Sequence, residues 1–281
     1  MIVQTIDFQS NSADQQFAQS LHDSGFAILK NHPVSQQKLD RLYHAWFDFF
    51  QGEEKQNYMY DPEDKNRTQE GYFPLKVSET AVNATTKDLK EFFHVVPSAP
   101  LPQALKQDIL EYREEILQLG SLLLGWIQNN APNKIRDGFS EPLSGVLSST
   151  ASLLRILHYP PLSGEETADA VRAAAHEDIN LITILPVSHQ PGLQVKTLNG
   201  DWLNLETSTG ELIVNIGDML QKASDGYFPS TTHQVINPAG ADKNISRLSI
   251  PFFLTPRLEF VLSDKYTAGS YLDERLKLLN R

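Results

Sequence analysis

Residues 175–185 read AHEDINLITIL and are preceded by two further alanines. In an extended chain, side chains two positions apart point to the same side, so His176 and Asp178 would share one face. In an α-helix the same two residues would lie roughly 200° apart around the axis, because each residue turns the chain by about 100°. A helix could not bring both side chains to one metal ion. The secondary structure of this stretch therefore decides whether the chain has a metal site here.

From about residue 150 the sequence has the pattern of short strands separated by turns. Asn199-Gly200 lies between two runs that alternate apolar and polar residues, which is typical of a β-hairpin. Residues 231–254 read as two strands joined by a turn rich in Pro, Gly, Asp and Asn. In this setting the β-branched residues after Asp178 favour a buried strand, and we predict that it begins at His176 despite the alanines before it.

Helical patterns dominate the first half of the chain. Ser12 as N-cap and Gly25 as a stop predict a first helix, and Ser35 begins a second. The apolar residues of the stretch 102–130 recur at the spacing of one long helix. Residues 51–90 have weak periodicity and are predicted to be loop.

These patterns together predict a mainly β protein with flanking helices. We divide the chain into a helix-rich N-terminal region (1–149), a β core (150–257) and a C-terminal tail that carries a short helix (258–281).

Composition limits the classes of partner and of metal site. With 24 Lys and Arg against 35 Asp and Glu, the formal net charge is −11, which argues against nucleic acid or a membrane as the main partner. The sequence contains no cysteine, so a metal would have to be bound by His, Asp or Glu. The N-terminal residues lack the basic and apolar regions of a secretory signal. We expect a cytoplasmic protein that is a monomer or a weak homo-oligomer.

A third residue strengthens the prediction of a metal site. His233 lies in a second predicted strand, far downstream of His176 and Asp178. Two histidines and one carboxylate are the ligands of non-haem Fe(II) oxygenases, in which three coordination positions stay open. Each histidine alone is more often a structural residue, and His-x-Asp triplets occur by chance, so the prediction depends on the three residues together.

A candidate anion site follows on the next predicted strand. Arg247 and Ser249 are two positions apart, so both can face one interior. A guanidinium beside a hydroxyl can bind a carboxylate, because the guanidinium fork matches both oxygens. The alternative is a surface arginine with a chance serine, but the run SRLSIPFFL is otherwise apolar, and a buried arginine requires an anionic partner.

Seven motifs follow one another in an informative order. They are SGFAILKNHPV, DLKEFFHV, HEDINLITIL, GLQV, VNIGDML, GYFPSTTHQV and RLSIPFF. Their order and spacing resemble those of the iron/2-oxoglutarate oxygenases related to isopenicillin N synthase, also called iron/ascorbate oxidoreductases. The resemblance implies a double-stranded β-helix (jelly roll) core with flanking helices, preceded by a non-haem dioxygenase N-terminal region. It also implies that His176, Asp178 and His233 hold Fe(II).

The same resemblance implies a cosubstrate and a reaction. Arg247 and Ser249 would bind the distal carboxylate of 2-oxoglutarate, and Tyr159 would touch the same carboxylate. O2 would be the second cosubstrate, with ascorbate as an additional reductant, and a small-molecule substrate would be oxidised, in the usual case by hydroxylation. Desaturation or ring closure would be the other outcomes.

Three departures from the family pattern keep alternatives open. Leu157 stands where the family often has Asn, Gln234 stands where an Arg usually follows the distal histidine, and the turn from His233 to Arg247 is longer than usual. One alternative is an oxidase of the isopenicillin N synthase kind, which uses the same iron ligands without 2-oxoglutarate. The other is a non-catalytic jelly-roll protein that binds metal for structure.

The residues that would bind the substrate are predicted from their positions alone. In the resembling family the N-terminal half shapes the substrate pocket, which makes Arg67, Tyr72, Phe73 and Arg155 candidates. Phe93 is the more ambiguous case, and we assign it to the core. An arginine in this region suggests a substrate that bears a carboxylate.

Overall fold

The structure, a computed structural model of the 281-residue chain, contains helices packed around two larger β-sheets, and its described residues also form a two-stranded ribbon. It describes residues 3–61, 63, 69–77, 88–162, 164, 166, 171–188, 190–197, 199–238 and 244–279. The helices are α1 (Ala13–Ser24), α2 (Gln36–Gln51), α3 (Gln103–Asn130), α4 (Asn133–Arg136), α5 (Asp218–Ala223) and α6 (Ala268–Leu279). The first eight strands are β1 (Thr5–Asp7), β2 (Phe26–Lys30), β3 (Gly71–Phe73), β4 (Glu91–Val95), β5 (Leu153–Tyr159), β6 (Ala173–His176), β7 (Ile182–Pro186) and β8 (Leu193–Lys196). The remaining strands are β9 (Trp202–Asn204), β10 (Leu212–Ile216), β11 (His233–Val235), β12 (Arg247–Ser249), β13 (Phe252–Leu254), β14 (Val261–Ser263) and β15 (Tyr266–Thr267).

The predicted helices of the first half are confirmed, and their ends have local causes. α1 ends at Ser24 because Gly25 adopts a left-handed conformation, with φ of 72°, and its N–H donates to the carbonyl of Leu21. The hydroxyl of Ser35 accepts a hydrogen bond from the backbone of Lys38 at 3.4 Å and so caps α2.

The larger sheet contains strands from both halves of the chain. Its order is β1-β2-β10-β7-β13-β5-β4-β3, and β12 pairs with β5 next to the β13 pairing. All of these pairings are antiparallel except that between β1 and β2. Because β1 to β4 complete the sheet formed by the core strands, the N-terminal region and the core share one framework. The division of the chain at residues 149 and 257 stays a prediction.

The smaller sheet carries the two candidate histidine ligands. Its order is β6-β11-β8-β9, and His233 is the direct cross-strand partner of His176. The predicted hairpin at Asn199-Gly200 is confirmed, since it joins the antiparallel strands β8 and β9 and Gly200 has a φ of +91°. Two packed sheets of this kind, with α2 and α3 against the larger one, form the predicted jelly roll with flanking helices.

The side chains of the larger sheet separate into two faces. On β5, Leu154 and Ile156 belong to the main hydrophobic core with the helices, whereas Leu157 and Tyr159 belong to a second cluster. We call this second cluster the inner cluster. Its members are Phe73, Phe92, Leu157, Tyr159, Ala173 and Val235. Because Ala173 and Val235 come from the smaller sheet, the inner cluster lies between the two sheets.

Two predictions made from the sequence differ from the structure. The strand predicted to begin at His176 begins instead at Ala173 and ends at His176, and the next strand starts only at Ile182. The chain crosses between the two sheets at 177–181, so Asp178 lies just beyond a strand. The predicted loop 51–90 also contains β3, which pairs with β4 at the edge of the larger sheet.

The tail forms the predicted short helix, α6, after a two-stranded ribbon of β14 and β15. Among the helices that the structure describes, none combines the length and the apolar character needed to cross a bilayer.

Candidate metal and cosubstrate site

Three side chains from the smaller sheet and the crossover converge on one point. Oδ1 of Asp178 lies 3.8 Å from Nε2 of His176 and 3.8 Å from Nε2 of His233. Potential ligand atoms of the three residues all lie within 4.8 Å of one another, and no other such group of His, Asp and Glu occurs in the described part of the chain. Two imidazole nitrogens and one carboxylate oxygen at this spacing can bind a single metal ion.

The backbone fixes which nitrogen each imidazole presents. Nδ1 of His176 lies 2.7 Å from the carbonyl oxygen of Ala174, and Nδ1 of His233 lies 3.1 Å from that of Thr231. A carbonyl can only accept, so each Nδ1 carries the proton and each Nε2 keeps its lone pair for a metal. Both histidines are therefore in the tautomer that a metal ligand requires.

The carboxylate of Asp178 is oriented by donors from the larger sheet. Its Oδ2 accepts hydrogen bonds from Oγ1 of Thr183 at 2.5 Å and from Nδ2 of Asn215 at 2.8 Å. Thr183 and Asn215 are cross-strand partners on β7 and β10, so one register sets both donors. With Oδ2 held in this way, Oδ1 is directed at the two histidines.

The crossover that carries Asp178 is bound by the start of α5. The N–H of Asp218 donates to the carbonyl of Asp178 at 2.9 Å, and that of Met219 donates to the carbonyl of Asn180 at 3.1 Å. The approach is close, because a Cβ on Gly217 would lie 2.3 Å from the carbonyl oxygen of Asn180. A glycine is therefore needed at position 217, because only a residue without a side chain lets the α5 backbone approach the crossover closely enough to bind it.

The protonation states suit a metal site near neutral pH. Desolvation, and then the neighbouring His233, lower the pKa of His176 to about 4, so this imidazole is neutral at pH 7. Burial raises the pKa of Asp178, but His233, His176 and the two hydrogen bonds outweigh it, and the pKa of the carboxyl lies below its ordinary value. Neutral imidazoles and an ionised carboxylate are the forms that bind metal ions.

One side of the site is open to solvent. The side chain of His176 is 39% exposed, whereas those of Asp178 and His233 are 4% and 10% exposed. Small molecules can therefore reach the ligand atoms from the His176 side.

The predicted carboxylate receptor lies on the strand β12. Arg247 pairs with Tyr159 and Ser249 pairs with Leu157, so both side chains share the face of the inner cluster. The guanidinium carbon of Arg247 lies 5.3 Å from the centroid of the Tyr159 ring. Its Nε donates to the carbonyl of Gln190 at 3.2 Å, but its Nη1 is buried without a hydrogen-bond partner. This unsatisfied donor fits a carboxylate that is not part of the protein.

A second buried arginine lies in the same place, and the sequence reasoning missed it. Arg172 is 1% exposed, and its guanidinium carbon lies 5.9 Å from the centroid of the Tyr159 ring. The only available signal was an arginine four positions before His176, which places both on one face if the segment is extended. Its role depends on contacts with distant residues that no local pattern indicates.

Two of the three departures from the family pattern lie in described parts of the chain and have different surroundings, whereas the turn from His233 to Arg247 lies partly outside the described residues. Leu157 belongs to the inner cluster, so an apolar side chain takes this place beside Ser249. The side chain of Gln234 donates to that of its cross-strand partner Gln194 at 2.8 Å. Neither residue contacts the three candidate metal ligands through a hydrogen bond.

The candidate substrate residues are dispersed. Phe73 and Arg155 lie on the inner face, whereas Tyr72 points to the opposite face, packs in the main core and donates its hydroxyl hydrogen to Glu91. The side chains of Tyr72 and Phe73 diverge because successive residues of a strand alternate between faces. Arg67 lies outside the described residues. Phe93 is fully buried in the main core, which confirms its assignment.

Sequence and structure comparisons agree with this geometry. Residues 150–256 match the 2OG-Fe(II) oxygenase superfamily, where 2OG is 2-oxoglutarate, and residues 3–115 match the N-terminal region described as that of the non-haem dioxygenase in morphine synthesis. The crystal structure of a Shewanella oneidensis protein described as an oxygenase is 47% identical, with a TM-score of 0.89 over 100% of this chain and 99% of that one. The chain belongs to the 2OG-Fe(II) oxygenase superfamily.

Other members of the superfamily are more distant. A Caulobacter crescentus protein described as a 2OG-Fe(II) oxygenase has a TM-score of 0.82 and 28% identity, with 98% of both chains covered. Feruloyl CoA ortho-hydroxylase 2 of Arabidopsis thaliana is 28% identical over 93% of this chain and 71% of its own length. Fe(II) and 2-oxoglutarate are thus the metal and the cosubstrate of the family to which the chain belongs.

Proposed function

We propose that this dioxygenase couples the conversion of 2-oxoglutarate into succinate and CO2 to the hydroxylation of a small molecule that carries a planar apolar part and a carboxylate. The position of Arg247 is the observation that supports the use of 2-oxoglutarate. Arg247 lies on the face of the inner cluster, between the two sheets, and its Nη1 is buried without a hydrogen-bond partner. A buried cation of this kind requires a bound anion, and the distal carboxylate of 2-oxoglutarate supplies one.

The residues present fit the group that the family implies. His176, Asp178 and His233 offer two imidazole nitrogens and one carboxylate oxygen, a ligand set that suits Fe(II) and leaves one face open. When bound, Fe(II) supplies the activation of O2 that drives oxidation of both 2-oxoglutarate and the substrate. Thr183 and Asn215 keep the carboxylate of Asp178 in place.

Arg247 and Ser249 hold the distal carboxylate of 2-oxoglutarate in this proposal. The guanidinium supplies the positive charge, and the position of Ser249 on the same face of β12 adds a hydroxyl donor. Tyr159, the cross-strand partner of Arg247, forms the wall behind this carboxylate. The apolar members of the inner cluster exclude water from the space between the anchor and the metal ligands.

The candidate substrate pocket lies around Arg155, two residues before Leu157 on β5. Arg155 is only partly buried, and its guanidinium carbon lies 4.8 Å from the ring centroid of Phe92 and 5.5 Å from that of Phe253. Its Nε donates to Nε2 of His94 at 2.8 Å, and Nδ1 of His94 in turn bonds the carbonyl of Gln69 at 2.6 Å. These contacts fix the plane of the guanidinium, as recognition of a carboxylate requires.

An aromatic wall lies beside this guanidinium. The rings of Tyr60 and Phe73 are stacked at a centroid distance of 4.5 Å, and those of Phe73 and Phe92 at 4.6 Å. His94 contacts both phenylalanine rings, at 4.7 and 4.8 Å. Flat apolar groups pack well against such rings, so the pocket suits a planar substrate whose carboxylate pairs with Arg155.

Substrate-stimulated release of succinate tests the proposal. The wild-type protein would be supplied with Fe(II), 2-oxoglutarate and O2, and a panel of aromatic acids would be compared with their amides and with aliphatic acids. We expect aromatic acids to stimulate succinate release most. Arg155→Gln should raise the KM for the acid by about tenfold or more, with little effect on that for the amide. Consumption of O2 without any succinate would overturn the proposal in favour of an oxidase.

A further inference from the structure

Arg172 is a buried cation whose surroundings leave it incompletely satisfied. It precedes β6, the strand that ends at His176. Its Nη2 donates to the carbonyl of Ile245 at 2.9 Å, while its Nε is buried without a hydrogen-bond partner. Among the described residues no carboxylate lies within ion-pair distance of this guanidinium. Solvent therefore does not shield the positive charge, and no carboxylate of the described residues neutralises it.

Arg172 lies beside residues of the proposed cosubstrate anchor. Its guanidinium and that of Arg247 both lie against the ring of Tyr159, at 5.9 and 5.3 Å. The carbonyl that Arg172 binds belongs to Ile245, two residues before Arg247 on the chain. Desolvation and then the like charge of Arg247 lower the pKa of Arg172 from its ordinary value. Two buried cations thus share one aromatic ring.

Burying two cations together is unfavourable unless an anion joins them. Removing a charge from water is unfavourable, and a like-charged neighbour adds to this cost. A polar but neutral side chain could donate to the carbonyl of Ile245 without this penalty. The arrangement is thus expected where a bound anion compensates both charges, and a carboxylate with two oxygens can accept from two guanidinium groups.

Arg113 offers a useful contrast elsewhere in the molecule. It is also buried, but its Nη2 donates to two backbone carbonyls, those of Ser149 and Ser152, and its guanidinium lies over Phe252. No second cation contributes to the lowering of its pKa, which desolvation causes. The Nε of Arg113, like that of Arg172, is buried without a hydrogen-bond partner, so the contrast with Arg172 lies in the two backbone carbonyls that Arg113 binds and in the lack of a second cation acting on it.

We propose that Arg172 is a second guanidinium of the cosubstrate anchor, so that the distal carboxylate of 2-oxoglutarate is held between Arg172 and Arg247 beside Tyr159. This inference rests on the proposed use of 2-oxoglutarate and adds to it a residue that selects for the second carboxylate. Arg247 lies on β12 of the larger sheet and Arg172 in the segment that leads into β6 of the smaller sheet, so the bound carboxylate also joins these two parts of the fold.

Binding measurements with two 2-oxo acids test the proposal without turnover. The protein would be loaded with Mn(II), and the Kd of 2-oxoglutarate and of 2-oxopentanoate would be measured by calorimetry. The second acid keeps the carboxylate and keto groups next to each other but lacks the distal carboxylate. The Kd of 2-oxopentanoate divided by that of 2-oxoglutarate reports how strongly the protein recognises the distal carboxylate. This ratio would be measured for wild type, Arg172→Gln, Arg172→Lys and, as a matched control, Arg113→Gln.

We expect Arg172→Gln to reduce the ratio by about tenfold or more, because a charge-assisted contact to the distal carboxylate is lost. Arg172→Lys should reduce it less, since the charge remains. Arg113→Gln should leave the ratio as in wild type. We also expect the ligand-free Arg172→Gln protein to unfold at a temperature equal to or above that of wild type, because a buried, unpaired charge is removed.

Three results would overturn the inference. If the Kd values of both acids rise by the same factor in Arg172→Gln, the residue only supports the local structure. If Arg172→Gln does not fold, an unchanged ratio in the Arg172→Lys variant decides against the inference in the same way. If wild type binds 2-oxoglutarate no better than 2-oxopentanoate, the proposed use of 2-oxoglutarate fails as well, and this result is distinct from the other two.

Discussion

Replacing Gly217 by alanine should damage both the stability of the fold and the metal site. The backbone of Gly217 has φ of −95° and ψ of 167°, which alanine adopts without strain, so only the added methyl group matters. That Cβ would lie 2.1 Å from Oδ1 and 2.3 Å from the carbonyl oxygen of Asn180. The side-chain oxygen could rotate away, but the carbonyl oxygen belongs to the crossover.

The size of the effect follows from these distances. Real Cβ contacts are essentially never below 3.0 Å, so the carbonyl of Asn180 and the methyl group must separate by about 0.7 Å. Overpacking of this kind destabilises a fold by about 1–3 kcal/mol. Asp178 lies two residues away on the same segment, and metal sites tolerate displacements of only about 0.2 Å in their ligands. We therefore expect the Kd for Mn(II) to rise by about tenfold or more.

Urea unfolding of the metal-free protein and calorimetry with Mn(II) measure the two effects separately. Gly145→Ala is the matched control, because a Cβ at Gly145 meets no atom within 4 Å. The control should unfold within about 0.5 kcal/mol of wild type and should bind Mn(II) equally well. If Gly217→Ala behaved like the control in both measurements, the close packing of α5 against the crossover would not be what positions Asp178.

Three further predictions concern other parts of the molecule. Thr183→Val removes a donor to Asp178 and should raise the Kd for Mn(II) about tenfold in calorimetry, and an unchanged Kd would show that the donor is dispensable. Burial raises the pKa of Asp218 to about 7, although Arg275 acts in the opposite direction. The protonated form of Asp218 therefore stabilises the fold. This contribution is complete below the ordinary pKa of 3.8 and is lost as the pH rises through about 7. Relative to Asp218→Asn, wild type should lose up to about 4 kcal/mol of unfolding free energy between about pH 4 and about pH 8, and parallel stability profiles would contradict the assignment. Phe93→Ala should lower the unfolding free energy by about 3–5 kcal/mol in urea without changing the Kd for 2-oxoglutarate, and a changed Kd with full stability would place Phe93 in the pocket instead.

The sequence predicts best those features that depend on local periodicity. The C-terminal end of α1, at Gly25, and the hairpin at Asn199-Gly200 follow from capping and turn residues, which act within a few positions, whereas the side chain of Ser12 makes no capping hydrogen bond at the start of α1. The face shared by Arg247 and Ser249 follows from the two-residue repeat of a strand, whatever the neighbouring strand is. These features could be predicted because neighbours in the chain determine them.

The features that the sequence could not predict depend on distant contacts. Asp178 leaves the strand because the start of α5, forty residues later, binds the crossover backbone. The proposed role of Arg172 depends on its contacts with Tyr159 and Ile245, which lie in other parts of the chain. The direction of Tyr72 depends on the register of β3 against β4, and weak periodicity around it gave no indication of a strand.

The most direct test of the whole account is the visible spectrum of the protein with Fe(II) and 2-oxoglutarate in the absence of O2. If the three ligands hold Fe(II) and the cosubstrate chelates it, a charge-transfer band should appear in wild type and be absent from Asp178→Ala. Folded wild-type protein that binds Fe(II) but shows no band when 2-oxoglutarate is added would contradict the account.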